Sequence, residues 1–158
     1  MANSDTRFVY TDDDGMLIIV CPADKTEKTL DEIKTLNCPT TNTIYTVQPS
    51  DCPTDRSFRD AWSYDGSNFG INITKAKEIH KENIRLAREK KFKELDVEFQ
   101  RALETGADTT AIVAKKQALR DAPAAVGIST AVTETDLKAQ WDTSILGDPP
   151  YSYTKSYS

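Results

Sequence analysis

Short apolar runs alternate with turn residues over the first third of the chain, a pattern typical of a small antiparallel sheet. Two such runs, residues 8–10 and 16–21, are separated by an acidic segment that ends on Asp14 and Gly15. This dipeptide suits the positive-φ positions of a hairpin turn, so the pattern predicts a β-hairpin. Residues 43–48 return to β-branched and aromatic side chains and predict a third strand.

Between these strands the apolar positions change to helical spacing. Thr29 lies three residues before Glu32, which is the arrangement of a reciprocal capping box. Leu30, Ile33 and Leu36 then follow at positions that share one face of a helix. The pattern therefore predicts a short helix that starts after Thr29.

Residues 74–106 have the composition of one long helix. The segment contains no proline, is rich in strong helix formers, and has its one glycine, Gly106, at the end. A helix over residues 75–104 would extend roughly 45 Å at about 1.5 Å per residue. Because a small globular domain does not cover that length, we expect part of this helix to project or to meet a partner.

The second half of the long helix carries a heptad-like apolar seam. Residues 108–122 predict another helix that ends before Pro123, and a short turn with glycine joins the two. The pattern predicts an antiparallel helical hairpin in which the seam faces the second helix. The alternative is that the seam pairs with a second copy of the chain in a homo-oligomeric coiled coil. The seam consists of Phe92, Leu95, Phe99 and Ala102.

The remaining residues predict a short helix and a loose end. Thr133 and Asp136 form another capping-box pattern, and Trp141 is expected to close the helical bundle. Residues 147–158 contain a double proline and then alternate Tyr and Ser, which predicts a flexible tail.

Together these patterns predict an α+β fold. We expect a small N-terminal antiparallel β-rich domain followed by a long helix in an antiparallel helical hairpin. The β-rich domain is expected over residues 1–73, the hairpin with the short C-terminal helix over residues 74–146, and the tail over residues 147–158. At 158 residues the chain is long enough to bury a modest core.

The segment before the long helix is rich in aromatic residues, and its periodicity is ambiguous. Residues four apart suit one turn of a helix, and the same residues fit one face of a strand. The rings either seal the small sheet as core or form an exposed recognition patch. These residues are Phe58, Trp62, Tyr64 and Phe69.

Charge limits the partners that the chain is expected to bind. The chain has 20 basic and 25 acidic residues and a net charge of −5, whereas nucleic-acid binding needs a clustered excess of Lys and Arg. One basic segment, residues 85–93, is expected to be a solvated helix face. Apolar runs stay well below the roughly 18 residues of a membrane span, and the N-terminus shows no secretory signal pattern. We therefore expect neither nucleic acid nor a membrane as partner, and a cytoplasmic location.

The cysteines and the single histidine offer little for a metal or catalytic centre. Cys21, Cys38 and Cys52 each precede a proline and form no C-x-x-C pair, so a zinc site with His80 is not expected. His80 lies among charged residues of the predicted long helix and is expected to face solvent. The acidic turn at residues 12–14 lacks the ligand spacing of a calcium loop, and no catalytic motif is present. We therefore expect no cofactor, no bound metal and no enzymatic activity.

An ordered set of sequence blocks resembles a group of small proteins encoded among the tail-fibre genes of tailed bacteriophages. The blocks run from about residue 10 to residue 123 and include VYTDDDG, TLDEIKTLNCP and DRSFRDAW. The segment QALRDAP is similar to the closing ALRD segment of phage tail assembly chaperone domains. The resemblance implies a tail fibre assembly chaperone that binds the fibre polypeptide and assists its folding and trimerisation.

The same resemblance implies the phage tail fibre protein as partner and the host cell cytoplasm as location. The alternative is a structural component, such as a baseplate, fibre-adaptor or capsid-decorating protein, that remains in the virion. We expect the binding surface to lie on the aromatic segment and on the hairpin seam. The candidate partner-binding residues are Phe58, Trp62, Tyr64, Phe69, Phe92 and Phe99.

Overall fold

The computed structural model describes residues 2–151, which divide into two compact units. Residues 2–72 form the N-terminal unit, which carries the strands of the described residues, and residues 73–151 form the helical unit. The predicted α+β class is confirmed. Among residues 2–151, no helix combines the length and the apolar composition that crossing a bilayer requires.

A three-stranded antiparallel sheet is the centre of the N-terminal unit. The strands are β1 (Arg7–Thr11), β2 (Leu17–Val20) and β3 (Tyr45–Val47), in the order β2-β1-β3. Gly15 has a φ of 75°, which allows the tight turn between β1 and β2, so the predicted hairpin is confirmed. The sheet thereby places the apolar runs of the first third side by side.

The first helix, α1 (Leu30–Asn37), starts with the predicted capping box. The Glu32 N–H donates to Thr29 Oγ1 at 3.3 Å, and the Thr29 N–H donates to Glu32 Oε2 at 2.7 Å. Ile33 of this helix packs with the buried Phe8 of β1 and with Cys38. The helix therefore covers one face of the sheet.

The aromatic segment forms a second hairpin on the other side of the sheet core. After a 3₁₀ turn at Arg59–Ala61, β4 (Trp62–Tyr64) pairs antiparallel with β5 (Phe69–Ile71). Trp62 joins the buried cluster that Val9 of β1 belongs to. The periodicity of this segment is compatible with a helix and with a strand, and in the structure Trp62 and Tyr64 lie in a strand.

The helical unit is built on α2 (Ile73–Thr105), whose 33 residues extend about 50 Å. Gly106, with a φ of 66°, turns the chain into α3 (Thr110–Asp121), so the predicted long helix and helical hairpin are both present. The short helices α4 (Val126–Thr130), α5 (Glu134–Lys138) and α6 (Thr143–Leu146) follow. Helices α3, α5 and α6 all pack against α2.

One stripe of α2 faces these partners, and its first three buried residues are four positions apart. Its N-terminal half includes His80 and Ile84, both fully buried, and the C-terminal helices contribute the buried Leu137 and Trp141. The short helix at α5 and the closing role of Trp141 follow the prediction. The sequence interpretation missed α4 and α6. The buried residues of the stripe are Ala76, His80, Ile84, Leu95 and Ala102.

The C-terminal end departs from the expected tail. Gly147 and Tyr151 belong to the predicted flexible tail, but both pack within the helical unit. Since Tyr151 is the last described residue, the rest of that prediction, residues 152–158, lies outside the described part of the chain.

Candidate partner-binding groove

Two of the aromatic residues expected to bind a partner lie in the interior. The side chain of Phe58 is 0% exposed and that of Trp62 is 4% exposed, so neither ring is available at the surface in this conformation. Tyr64 and Phe69 are half-buried and pack against each other with ring centroids 4.8 Å apart. The aromatic segment therefore acts as core, which was the other interpretation of its sequence.

Two arginines cover the Trp62 ring from outside. The guanidinium carbon of Arg59 lies 4.8 Å from the ring centroid and that of Arg56 lies 5.8 Å away, both within cation–π distance. Arg59 also donates to the Leu17 carbonyl oxygen at 2.9 Å, which ties the turn before β4 to the edge strand β2. This arrangement closes the aromatic core.

The two phenylalanines of the hairpin seam are covered by cationic side chains of α3. Lys116 Nζ lies 4.7 Å from the centroid of Phe99, and the guanidinium carbon of Arg120 lies 5.9 Å from that of Phe92. Lys116 also forms a salt bridge of 2.6 Å with Asp96 of α2. The charged groups therefore lie within cation–π distance of the two rings. The seam is therefore covered by α3 of the same chain.

Most of the basic segment of α2 is also engaged locally. Arg88 donates to the Leu119 and Arg120 carbonyl oxygens at 3.4 and 3.3 Å, where it stabilises the C-terminal end of α3. Three further basic residues pair with acidic neighbours on α2 itself, and Lys90 forms no ion pair within residues 2–151. The neighbouring pairs are Arg85 with Glu82, Lys91 with Glu94, and Lys93 with Glu89.

A groove of about 600 Å³ lies between the middle of α2 and the segment that follows α6. Leu86 is 61% exposed and forms part of its α2 wall, while Trp141, buried except for a small part of its surface, lines it from the other side. The groove is lined by Asn83, Leu86, Ala87, Lys90, Lys91, Trp141, Leu146, Gly147, Asp148 and Pro150.

A glycine and an indole hydrogen bond shape the wall opposite α2. Trp141 donates its Nε1–H to the Gly147 carbonyl oxygen at 2.9 Å. Gly147 has a φ of 80°, a conformation that favours glycine and lets the chain turn back along α2 after Leu146. The indole therefore both lines the groove and fixes the backbone of its wall.

Tyr151 anchors the end of this wall to α2. Its hydroxyl lies 2.7 Å from His80 Nδ1 and 3.2 Å from Asn83 Nδ2, and its ring stacks on the His80 ring at a centroid distance of 5.7 Å. Asn83 donates an amide N–H to the hydroxyl oxygen, and the direction of the hydrogen bond between the hydroxyl and Nδ1 follows the tautomer of the imidazole.

The burial of this anchor determines its titration. His80 is 0% exposed, and burial lowers the pKa of its imidazole, an effect opposed by the nearby Gln140 backbone. Burial also raises the pKa of the Tyr151 phenol, with Asn83 acting in the opposite direction. The expectation that His80 faces solvent is wrong. The sequence did contain a signal, since His80 lies four residues from both Ala76 and Ile84 on the buried stripe.

The cysteines and acidic residues do not assemble into a metal centre in the described part of the chain. Cys38 is buried in the α1 cluster, Cys52 is half-buried, and Cys21 is exposed, all as free thiols. Burial raises the pKa of the Cys38 and Cys52 thiols, which favours their protonated forms. Within residues 2–151, no three His, Cys, Asp or Glu side chains come together in a group suited to hold a metal ion.

Comparisons with known proteins do not assign a function to this groove. No protein-family model, curated protein or solved structure matches the chain.

Proposed function

We propose that the protein is a phage tail fibre assembly chaperone that binds the fibre polypeptide through its helical unit. The groove beside α2 is the observation that supports this proposal best, because it leaves Leu86 largely exposed beside the nearly buried Trp141 and Leu146. Exposed apolar surface with a polar rim is typical of protein interaction sites. The sequence blocks that resemble tail-fibre-region proteins supply the identity of the partner.

The physical need for such a partner follows from how fibrous β-rich trimers assemble. Their strands pair over long sequence distances and across chains, so folding is slow and unpaired edges stay exposed. Exposed edges and apolar surface cause aggregation at cellular concentrations. A small partner that covers apolar surface until the trimer closes would keep the fibre polypeptide soluble.

Co-expression with the neighbouring tail fibre gene tests the proposal. We expect the soluble trimeric fraction of the fibre to rise with the wild-type protein and to fall back with Leu86→Glu, which places a charge in the groove. Leu36→Glu is the matched control, because Leu36 is 65% exposed on α1 of the N-terminal unit. Fibre that is equally soluble and trimeric without this protein would contradict the proposal.

Mass spectrometry of purified virions separates the chaperone from a structural component. A chaperone that is released after assembly is absent from the particle. A baseplate, adaptor or decoration protein is present at a fixed ratio to the other virion proteins, and this result would replace the chaperone proposal.

A further inference from the structure

We propose that residues 148–151 form a pH-sensitive strap, which lies on α2 while His80 is neutral and is released when His80 becomes protonated. This conformational change is independent of the chaperone function, because it needs only residues of the helical unit. Its origin is the way in which a buried histidine and a tyrosine hold the end of the groove wall to α2.

The strap begins at a hinge and crosses the surface without regular structure. Gly147, which precedes it, has a φ of 80°, and its carbonyl oxygen accepts the Trp141 Nε1–H at 2.9 Å. Asp148 and Pro150 are exposed, and the two prolines of the strap have no amide N–H to donate. The strap can therefore turn away at Gly147 without breaking a helix or a sheet.

Tyr151, at the far end of the strap, covers the His80 ring. The two rings lie nearly parallel, with 13° between their planes and 5.7 Å between their centroids. His80 is 0% exposed, and burial lowers the pKa of its imidazole more than the hydrogen bond with the Gln140 backbone raises it. Release of the strap would uncover one face of the ring and let water hydrate the imidazolium. Protonation therefore favours the released strap.

The hydrogen bond at Nδ1 acts in the same direction. A neutral imidazole has one accepting and one donating nitrogen, whereas both nitrogens of the protonated ring donate. Protonation thus removes the tautomer in which Nδ1 accepts the proton of the Tyr151 hydroxyl, 2.7 Å away. Asn83 already donates to the same hydroxyl at 3.2 Å, so the hydroxyl would face two donors.

The charged and titratable groups around His80 come from α2, α5 and the strap. Lys77, one turn before His80, is hydrogen-bonded to a carbonyl oxygen of α4, and the ammonium of Lys138 lies 5.9 Å from the Tyr151 ring centroid. Both ammonium groups disfavour a further positive charge on the ring. Burial raises the pKa of the Tyr151 phenol, so this group stays neutral. The carboxylates of these elements are Glu78, paired with Lys81, Asp136, which accepts the Thr133 N–H, and the exposed Asp148.

The size of the expected bias suits a local opening. Below the ordinary histidine pKa of about 6.5, one proton can increase the released fraction at most about tenfold per pH unit, or roughly 30-fold by pH 5. Such a factor shifts the equilibrium of a short surface segment. Unfolding of the whole unit would in addition expose the fully buried Ile84 and Leu137. We therefore expect the strap to open while the helices stay folded.

An NMR titration of His80 tests the linkage, and its ring signals are unambiguous because the chain has one histidine. If protonation releases the strap, loss of the strap must by reciprocity make His80 easier to protonate. We expect Tyr151→Ala to raise the titration midpoint by about one pH unit, and Tyr151→Phe, which keeps the covering ring, to raise it less. Tyr10→Ala, in the N-terminal unit, is the control and should leave the midpoint unchanged. Equal midpoints in the wild type and Tyr151→Ala would overturn the proposal.

Tryptophan fluorescence then measures the release itself. The chain has two tryptophans, so the emission of Trp62→Phe comes from Trp141, whose ring centroid lies 5.9 Å from that of Tyr151. Between pH 7 and 5 we expect this emission to move to longer wavelength with the midpoint of His80, while far-UV circular dichroism keeps its helical signal. If Trp62→Phe does not fold, the difference between the wild type and His80→Gln gives the same comparison. An emission wavelength that does not follow His80, or a loss of helical signal at the same midpoint, would show that no strap is released.

Discussion

The two units of the protein use aromatic residues in opposite ways. In the N-terminal unit, Phe58 and Trp62 fill an apolar interior. In the helical unit, Trp141 and Tyr151 meet around His80, and each of these three side chains makes a hydrogen bond inside the structure. The first cluster contributes stability by burial, and the second fixes a particular position of the chain beside a groove. In this protein the dense aromatic segment forms core. The site beside the groove is instead built from aromatic residues with polar groups that are distant in sequence and close in space.

The largest effect is expected from removing a ring from the apolar interior of the N-terminal unit. Phe58→Ala should lower the free energy of unfolding by about 3–5 kcal/mol, because it removes a fully buried ring and leaves a cavity. Urea denaturation followed by circular dichroism measures this change. Leu36→Ala, at an exposed position, should change it by less than about 0.5 kcal/mol. Similar values for the two variants would contradict the assignment of Phe58 to the core.

The polar cluster, which consists of His80, Trp141 and Tyr151, should be destabilised by the loss of a single oxygen atom. Tyr151→Phe keeps the ring and removes the hydroxyl that Asn83 and His80 share, so it should lower the free energy of unfolding by about 1–2 kcal/mol. Tyr10→Phe is the control, since the Tyr10 side chain packs against the α1 cluster and its hydroxyl has no hydrogen bond within residues 2–151. An equal loss for both variants would show that the Tyr151 hydroxyl does not act as an anchor.

Acid should lower the free energy of unfolding through protonation of His80 in the polar cluster. Because burial lowers the pKa of His80, the unfolded chain binds more protons than the folded chain once the pH falls below about 6.5, the ordinary pKa of histidine. The free energy of unfolding is therefore constant above that pH and falls below it, with a slope of at most about 1.4 kcal/mol per pH unit for one proton. Protonation would also fix Nδ1 as a donor in its contact with the Tyr151 hydroxyl.

Denaturation at a series of pH values between 7 and 5 tests this dependence. His80 is the only histidine of the chain, so His80→Gln should remove the step in this range, even though its stability at neutral pH is lower. The groups near the ring are the Tyr151 phenol and the ammonium of Lys138, which lies 5.9 Å from the Tyr151 ring centroid. A step that persists in His80→Gln would assign the titration to another group.

The smallest effect is expected at the hairpin surface. A double-mutant cycle on Lys116 and Asp96 should give a coupling energy of about 0.5–1 kcal/mol, because Lys116 is half-buried and its partner lies 2.6 Å away. The pair of Lys93 and Glu89, at 3.7 Å with both side chains exposed, should give less than about 0.5 kcal/mol. A larger coupling energy for Lys93 and Glu89 than for Lys116 and Asp96 would show that partial burial of Lys116 does not strengthen its ion pair.

Local patterns made the elements of this fold predictable. The capping boxes at Thr29 and Thr133 each involve residues three apart, and the structure contains both. The long helix is also predicted by local features, because its composition indicates a helix and Gly106 marks its end. Helices α4 and α6 were missed because segments of four or five residues carry no measurable periodicity.

The candidate site was much less accessible from the sequence. Its walls come from the middle of α2 and from residues 141–150, and the hydrogen bond that anchors Tyr151 to His80 spans 71 positions of sequence. Periodicity describes neighbours within one helix, so it cannot show which distant segment lies against that helix. Leu86 lines the groove only because of that packing, so its place in the helix sequence does not show its role.

The tip of the helical hairpin has a practical consequence for experiments on this protein. At Gly106 an added Cβ would meet no atom within 4 Å, so the turn borders open space, although its φ of 66° favours glycine or asparagine. A short epitope or fluorescent peptide inserted directly after Gly106 would leave the turn residue itself in place. Such a reporter would make the protein visible during fibre assembly while the groove residues keep their native sequence.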